Sequence, residues 1–105
     1  MTQSSQRSPA DGVDYVDSET VAIYLEVPGS KIVLLQGYFE LYEGVGIVRT
    51  VDVRRSLLCI LTTPSMVDDC LAVLDAISEQ IPWRPAPLPE QADRERYLGY
   101  FKKGL

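Results

Sequence analysis

The spacing of apolar residues between Val21 and Ile81 constrains the fold of this chain more than any other feature. It switches between a period of about two residues, typical of strands, and about 3.6, typical of helices. The switches fall at prolines and glycines, which interrupt regular structure. The segment therefore predicts the order strand, helix, strand, strand, helix, which is a small βαββα domain of the α+β class.

The first strand and the first helix are separated by a clear break. Every second residue from Val21 to Val27 is apolar, which predicts a strand with one face in the core. Pro28 and Gly29 end this strand, and Ser30 is a candidate N-cap for a helix that stops at Gly44. The apolar residues of the helix cover about half of its circumference, although a core-facing stripe needs only about 100°. We therefore expect another surface to cover part of this helix.

A hairpin and a second helix follow. Strands are predicted over Gly46 to Val53 and Leu57 to Thr63, and the unbroken apolar run of the second indicates a central strand covered on both faces. Ser65 and Asp68 resemble a capping box for a helix from Met66 to about Ile81.

The two ends of the chain have a different composition. Residues 1–19 are polar and acidic, so we expect a disordered or extended lead-in, with order beginning near Thr20. Residues 20–81 form the βαββα domain, and residues 82–105 form a proline-rich tether and a C-terminal tail. Trp83 is expected to dock this tail on the domain. The segment Tyr97–Phe101 is either a short helix or a strand.

Composition and missing motifs argue against several classes of function. A net charge of -5 disfavours nucleic acid and anionic membranes, and no apolar run is long enough to cross a bilayer, so we expect a cytoplasmic protein. The chain has no histidine and no recognisable metal or nucleotide motif. We therefore expect no metal, no cofactor, no catalytic set and no enzymatic activity. Cys59 and Cys70 lie on predicted apolar faces, which indicates buried thiols.

The order of elements resembles that of ferredoxin-like domains without their last strand. This resemblance implies an antiparallel sheet with two helices on one face and the strand order 4-1-3-2. The strands Val21–Val27 and Leu57–Thr63 would then be neighbours in the middle of the sheet. The fourth strand is either missing or supplied by the tail near Tyr97 or by a partner, because open sheet edges are usually covered.

A second resemblance concerns the turn before the first helix. Val27-Pro28-Gly29-Ser30-Lys31-Ile32 followed by Gly46-Ile47-Val48 resembles the ACT regulatory domain. The resemblance implies a small ligand near Gly29 and Ser30 at a subunit interface. Arg49 alternates with apolar neighbours in a predicted strand, where it either pairs with a carboxylate such as Glu26 across the sheet or holds an anionic ligand.

A third resemblance covers about Val21 to Ile81 and implies no activity. Its residues are Val33-Leu34-Leu35-Gln36, Tyr42-Glu43-Gly44 and Gly46-Ile47-Val48-Arg49-Thr50-Val51-Asp52. They resemble a family of short bacterial proteins of unknown function.

These observations favour a small binding or regulatory domain that acts through homodimerisation or contact with another protein. The candidate interface residues are Tyr24, Leu34, Leu41 and Trp83. The alternative is an ACT-like sensor of an anionic or amino-acid-like ligand, with Gly29, Ser30 and Arg49 as the candidate ligand-binding residues.

Overall fold

The computed structural model describes residues 12–42, 44–94 and 96–97, which form a mixed α+β domain with one antiparallel sheet. The strands and helices follow one another in the order β1 (Val13–Tyr15), β2 (Val21–Glu26), α1 (Ile32–Leu41), β3 (Ile47–Asp52), β4 (Leu57–Thr62), α2 (Val67–Ala76) and β5 (Arg84–Pro85). The simple βαββα order therefore does not describe the whole chain, because strands are added before and after it.

The centre of the sheet is the antiparallel pair β2 and β4. Their register runs from Val21 opposite Thr62 to Glu26 opposite Leu57. The path across the sheet is β1-β2-β4-β3, which confirms the prediction that these two apolar strands are neighbours in the middle. β3 pairs with the other side of β4, and this ladder is interrupted by a bulge between Thr50 and Asp52.

Both helices pack on the same face of the sheet. Leu35 and Phe39 of α1 and the buried residues of α2 form one core with apolar side chains of β2 and β4. These core residues of the sheet are Val21, Ile23, Leu25, Leu58 and Ile60. Gly44 ends the first helical region with a φ of +85°, the left-handed conformation that the sequence predicts there.

The predicted helix caps are wrong. A turn of 3-10 helix over Gly29–Lys31 precedes α1, so Lys31 rather than Ser30 is the N-cap, and it makes no side-chain cap bond. Met66 takes the corresponding place before α2, and Ser65 Oγ shares a hydrogen bond with Thr63 Oγ1 instead (3.1 Å). In both cases a backbone turn at the helix entry moves the first helical residue beyond the predicted capping side chain.

The outer edge of β2 is covered by both ends of the described chain, one of which, β5, belongs to the tail that the sequence analysis offers as a source of the missing strand. β1 pairs antiparallel with Val21–Ile23, and β5 pairs antiparallel with Leu25 and Glu26. The two segments meet at Tyr24, which donates from its N–H to Gly12 O (2.8 Å) and accepts from the N–H of Ala86 (3.0 Å). We call this arrangement the composite edge. Order therefore begins before Thr20, and the part of the predicted tail that pairs with β2 is β5.

The second face of the sheet is covered as well. Ala22, Tyr24, Leu57, Cys59 and Ala86 form a second buried cluster, against which Tyr97 packs. Residues 91–94 and 96–97 are helical, and the rest of the predicted Tyr97–Phe101 segment lies outside the described residues. β4 is therefore buried on both faces, as its unbroken apolar run indicates.

Trp83 attaches the proline-rich segment to the helix side of the domain. Its side chain is 6% exposed, belongs to the main core and donates from Nε1–H to Leu74 O (2.7 Å). The tail is thus docked through Trp83 as the sequence predicts. α2 itself ends at Ala76 and is followed by turns, so it is shorter than the predicted helix, although Ile77 and Ile81 beyond it remain in the core.

Candidate functional site

The four candidate interface residues divide into two pairs. Tyr24 is fully buried in the second cluster and Trp83 is buried in the main core, so the chain itself already covers both. Leu34 and Leu41 are 42% and 79% exposed on α1. Only the latter pair is available to a second molecule.

One side of α1 is apolar and exposed. Val33 is 78% exposed, and at 100° per residue it lies with Leu34, Gly37 and Leu41 on the side of the helix opposite the buried Leu35 and Phe39. We call Val33, Leu34, Gly37 and Leu41 the outer face of α1. A Cβ placed on Gly37 would meet no atom within 4 Å, so the centre of this face is open.

Arg49 does not form the predicted ion pair with Glu26. The register places Arg49 opposite Cys59 on one side of β4, whereas Glu26 lies on β2, beyond the other side of β4. Glu26 Oε1 instead accepts a hydrogen bond from Arg84 Nε (2.7 Å). Arg49 donates from Nη1 to the carbonyl oxygen of its neighbour Val48 (3.2 Å). Within the part of the chain that the structure describes, it has no carboxylate partner.

Two cavities of about 580 and 520 Å³ share Arg49 as a lining residue. The larger lies between α1 and β3, with Gln36, Phe39 and Glu40 on the helix side. The smaller lies where β2 begins and β4 ends, with lining residues that include Glu19, Thr20, Leu61 and Thr63. Gly44, Gly46, Ile47 and Arg49 line both cavities, so the two volumes adjoin the same stretch of chain at the start of β3.

Gly29 and Ser30 lie away from these cavities. Both are exposed in the turn that follows the end of β2, whereas the smaller cavity lies beside Thr20, where β2 begins. Neither residue lines a cavity that Arg49 lines. The structure therefore does not bring the three candidate ligand-binding residues together.

Among the described strands, β3 is the longest that has an unpaired outer edge, whereas the sequence analysis placed the unpaired edge on β2. The short β1, at the opposite side of the sheet, also pairs only with β2. Among the described strands, β3 pairs only with β4, and Ile47, Arg49 and Thr50 are exposed. A charged residue within an otherwise apolar strand is a common feature of edge strands. The position of Arg49 could therefore have identified this edge from the sequence.

A polar cluster lies under the C-terminal segment on the second face of the sheet. Asp14 Oδ2 of β1 forms an ion pair with Arg94 Nη1 (3.2 Å), and this pair lies close to the Tyr24 hydroxyl and the Cys59 thiol. Arg94 Nε has no hydrogen-bond partner among residues 12–42, 44–94 and 96–97, whereas the Tyr24 hydroxyl interacts with the Cys59 thiol. The ion pair connects β1 to the helical segment that follows β5, which indicates a structural role.

Burial keeps the ionisable groups of the interior neutral. It raises the pKa of Tyr24 well above its ordinary value, and the neighbouring Cys59 and Asp14 act in the same direction while Arg94 opposes them. Burial also raises the pKa of Cys59 and of Cys70 to about 12 each. Both free thiols are therefore protonated at neutral pH and are poor nucleophiles.

The described residues contain neither a metal-binding cluster nor a membrane-spanning helix. In the described ranges, no three His, Cys, Asp or Glu residues lie close enough together to hold a metal ion. Helices of the length and apolarity needed to cross a membrane are also absent from these ranges.

Comparison with known proteins identifies one family and no characterised relative. A family model described as a domain of unknown function, DUF4911, matches residues 25–81. No curated protein and no solved structure matches the chain. The matched residues run from the end of β2 through α2 and include α1 and Arg49, whereas β1 and β5 lie outside them. Since the match covers more than half of its length, the chain belongs to the DUF4911 family, an uncharacterised domain family.

Proposed function

We propose that this chain is a ferredoxin-like, non-catalytic interaction domain that forms a homodimer through the outer face of α1. The observation that carries the proposal is the exposure of Val33 and Leu41, 78% and 79%, on one side of a single helix. A helix of a lone domain usually places charged or polar residues on the side opposite its core. α1 instead places apolar residues there, so this side has the composition of a contact surface.

Gly37 supports the choice of a helix as the contacting element. Glycine inside a helix costs about 1 kcal/mol relative to alanine, and nothing within the domain requires its small size, because a Cβ there would meet no atom within 4 Å. Gly37 lies between Val33 and Leu41 on this face and adds no side chain there. A second helix can approach the backbone closely at such a point.

A second copy of the chain is the partner that best fits the charge of this surface. The chain carries a net charge of -5, so two copies repel each other over much of their surfaces. The outer face of α1 contains no charged residue, and two such faces meet about a twofold axis without burying like charges. Glu40 lies at its margin and is exposed, so its carboxylate remains in water.

The test replaces one exposed apolar residue on the outer face and one elsewhere. We expect the wild-type chain to be a dimer by light scattering and sedimentation over a dilution series. Leu41→Glu should give a folded monomer, because a buried unpaired carboxylate is strongly unfavourable. Val53→Glu is the matched control, since Val53 is 77% exposed at the β3–β4 turn, and this variant should remain a dimer. A wild-type monomer, or equal dissociation of both variants, would contradict the proposal.

Gly37→Ala should have opposite effects on the stability of the fold and on the stability of the dimer. In a Leu41→Glu background the added methyl group should raise the free energy of unfolding by about 1 kcal/mol, because alanine favours helix. In the otherwise unchanged chain the same methyl group should weaken the dimer, because it fills the point of close approach. If Gly37→Ala strengthens both the fold and the dimer, the two helices do not meet at Gly37.

The positions of Gly29, Ser30 and Arg49 argue against the alternative of an ACT-like sensor. It requires Gly29, Ser30 and Arg49 to surround one ligand, whereas the first two follow the end of β2 and Arg49 lines cavities that neither of them reaches.

A further inference from the structure

The outer edge of β3 is built to accept another strand along part of its length. β3 pairs only with β4 among the described strands, and a bulge interrupts its ladder between Thr50 and Asp52. The regular part is Ile47–Thr50, which we call the open edge. In an antiparallel strand the N–H and C=O groups of alternate residues point away from the paired neighbour. The open edge therefore presents backbone donors and acceptors to whatever lies beside it.

The two cavities adjoin the start of β3 on opposite faces of the sheet. The larger cavity lies on the helix side of the sheet and is lined by Phe39. The smaller cavity lies on the second face of the sheet and is lined by Ile47 and Leu61. Successive side chains of a strand point to opposite faces of its sheet. An extended segment paired with the open edge would direct alternate side chains into the two cavities. Gly44 and Gly46 line both volumes at the start of β3 and offer no side chain to obstruct the segment.

Arg49 indicates which charge the added segment should carry. It lies opposite Cys59, a residue of the second buried cluster, and paired residues share a face, so Arg49 belongs to the second face. Its guanidinium donates to the uncharged carbonyl of Val48, although a carboxylate is a stronger acceptor. Glu19 and Glu40 each line one of the cavities and oppose additional acidic groups. The surface thus matches a segment with one acidic residue between apolar neighbours.

We propose that the open edge binds an extended peptide by strand addition, with one acidic side chain of the peptide held by Arg49 and an apolar side chain in the cavity beside Phe39. A second copy of β3 fits this edge less well, because Ile47–Thr50 contains Arg49 and no carboxylate. The proposal does not depend on dimerisation, since the outer face of α1 consists of other residues.

The test uses the full chain and three kinds of probe peptide. The first is the N-acetylated, C-amidated tetrapeptide Val-Glu-Val-Thr, titrated while backbone amide signals are followed by NMR. We expect shifts and slowed hydrogen exchange confined to Ile47–Thr50 and the residues lining the two cavities. The isosteric peptide with Gln in place of Glu should bind about tenfold more weakly, because it loses a charge-assisted hydrogen bond. Of two peptides N-methylated at successive residues, one should bind and the other should not, since only alternate N–H groups face β3.

Variants of the protein complete the test. Arg49→Gln should abolish the preference for the acidic peptide, whereas Arg55→Gln, which changes another exposed arginine in the β3–β4 turn, should leave it intact. The proposal is overturned if the acidic peptide causes no shift at the open edge, or if Arg49→Gln leaves its preference unchanged. It is also overturned if N-acetyl glutamate amide binds as tightly as the tetrapeptide, because the site would then hold a small anion rather than a strand.

Discussion

Replacing Gly12 with alanine should detach the composite edge. Gly12 has a φ of +75°, and a Cβ there would lie 3.0 Å from Ala86 O and far inside contact distance of Tyr24 O. Both obstacles are backbone oxygens, which cannot rotate away as a flexible side chain can. The methyl group therefore requires β1 or the segment after β5 to move.

The expected cost is the sum of two contributions. A left-handed conformation costs alanine about 1 kcal/mol. Movement of either segment also breaks the hydrogen bonds Tyr24 N–H to Gly12 O (2.8 Å) and Ala86 N–H to Tyr24 O (3.0 Å), each with a net value of about 1 kcal/mol. Gly12→Ala should therefore lower the free energy of unfolding by about 3 kcal/mol, a large part of the 5–15 kcal/mol typical of a domain.

Two other glycines separate these contributions. Gly44 has a φ of +85° but open space where its Cβ would be, so Gly44→Ala should cost about 1 kcal/mol. Gly29 has neither a positive φ nor a close neighbour, so Gly29→Ala should leave stability nearly unchanged. The excess cost at Gly12 over Gly44 measures the packing of the composite edge.

Urea unfolding of the three variants provides the free energies, and native-state hydrogen exchange locates the change. In Gly12→Ala the amides of Tyr24 and Ala86 should lose protection, while amides that join β2 to β4 should keep it. If Gly12→Ala costs no more than Gly44→Ala, or if the amide of Tyr24 keeps its protection, the two chain ends do not meet as described.

Two further predictions concern the buried groups. Burial raises the pKa of Cys59 and Cys70 from 9.0 to about 12, so unfolded thiols lose protons first. The contribution of the two thiols to the free energy of unfolding should be fully present below pH 9. It should fall as the pH rises above 9, by up to about 1.4 kcal/mol per pH unit for each thiol. Urea midpoints at successive pH values check this, and an equally steep fall in a variant with alanine at both positions would contradict it. Trp83→Phe removes the indole N–H that donates to Leu74 O, so the free energy of unfolding should fall by about 1–3 kcal/mol. Urea unfolding followed by circular dichroism measures this, and an unchanged urea midpoint would contradict the docking role of Trp83.

The centre of the fold can be predicted from the sequence because its signals are local. The apolar residues of β2 and the unbroken apolar run of β4 lead directly to the central pair. The alternation in β2 predicts only one buried face, which is wrong, because Ala22 and Tyr24 are buried in the second cluster under the C-terminal segment. Pro28 and Gly44 mark the ends of the first helical region for equally local reasons, a fixed φ and a positive φ. Burial of Cys59 and Cys70 follows from the same periodicity.

The edges of the sheet could not be predicted because they depend on contacts between distant residues. β1 has three residues, one of them Asp14, which is too short for a period to be visible. β5 contains Pro85, which has no N–H and is rare within strands, although an edge tolerates it. Both are strands only because β2 lies beside them. The predicted pairing of Arg49 with Glu26 failed for a similar reason, since β4 separates the strands that carry them.

The composite edge also determines the order in which a growing chain completes its sheet. β2 and β4 can pair once Thr62 has been made, but Leu25 and Glu26 remain bare along one side until Arg84 and Pro85 emerge. During that interval an apolar strand offers its backbone to neighbouring nascent chains, a common route to misassembly. A fragment that keeps β2 but ends at residue 81, where the family match ends, would keep that vulnerability permanently.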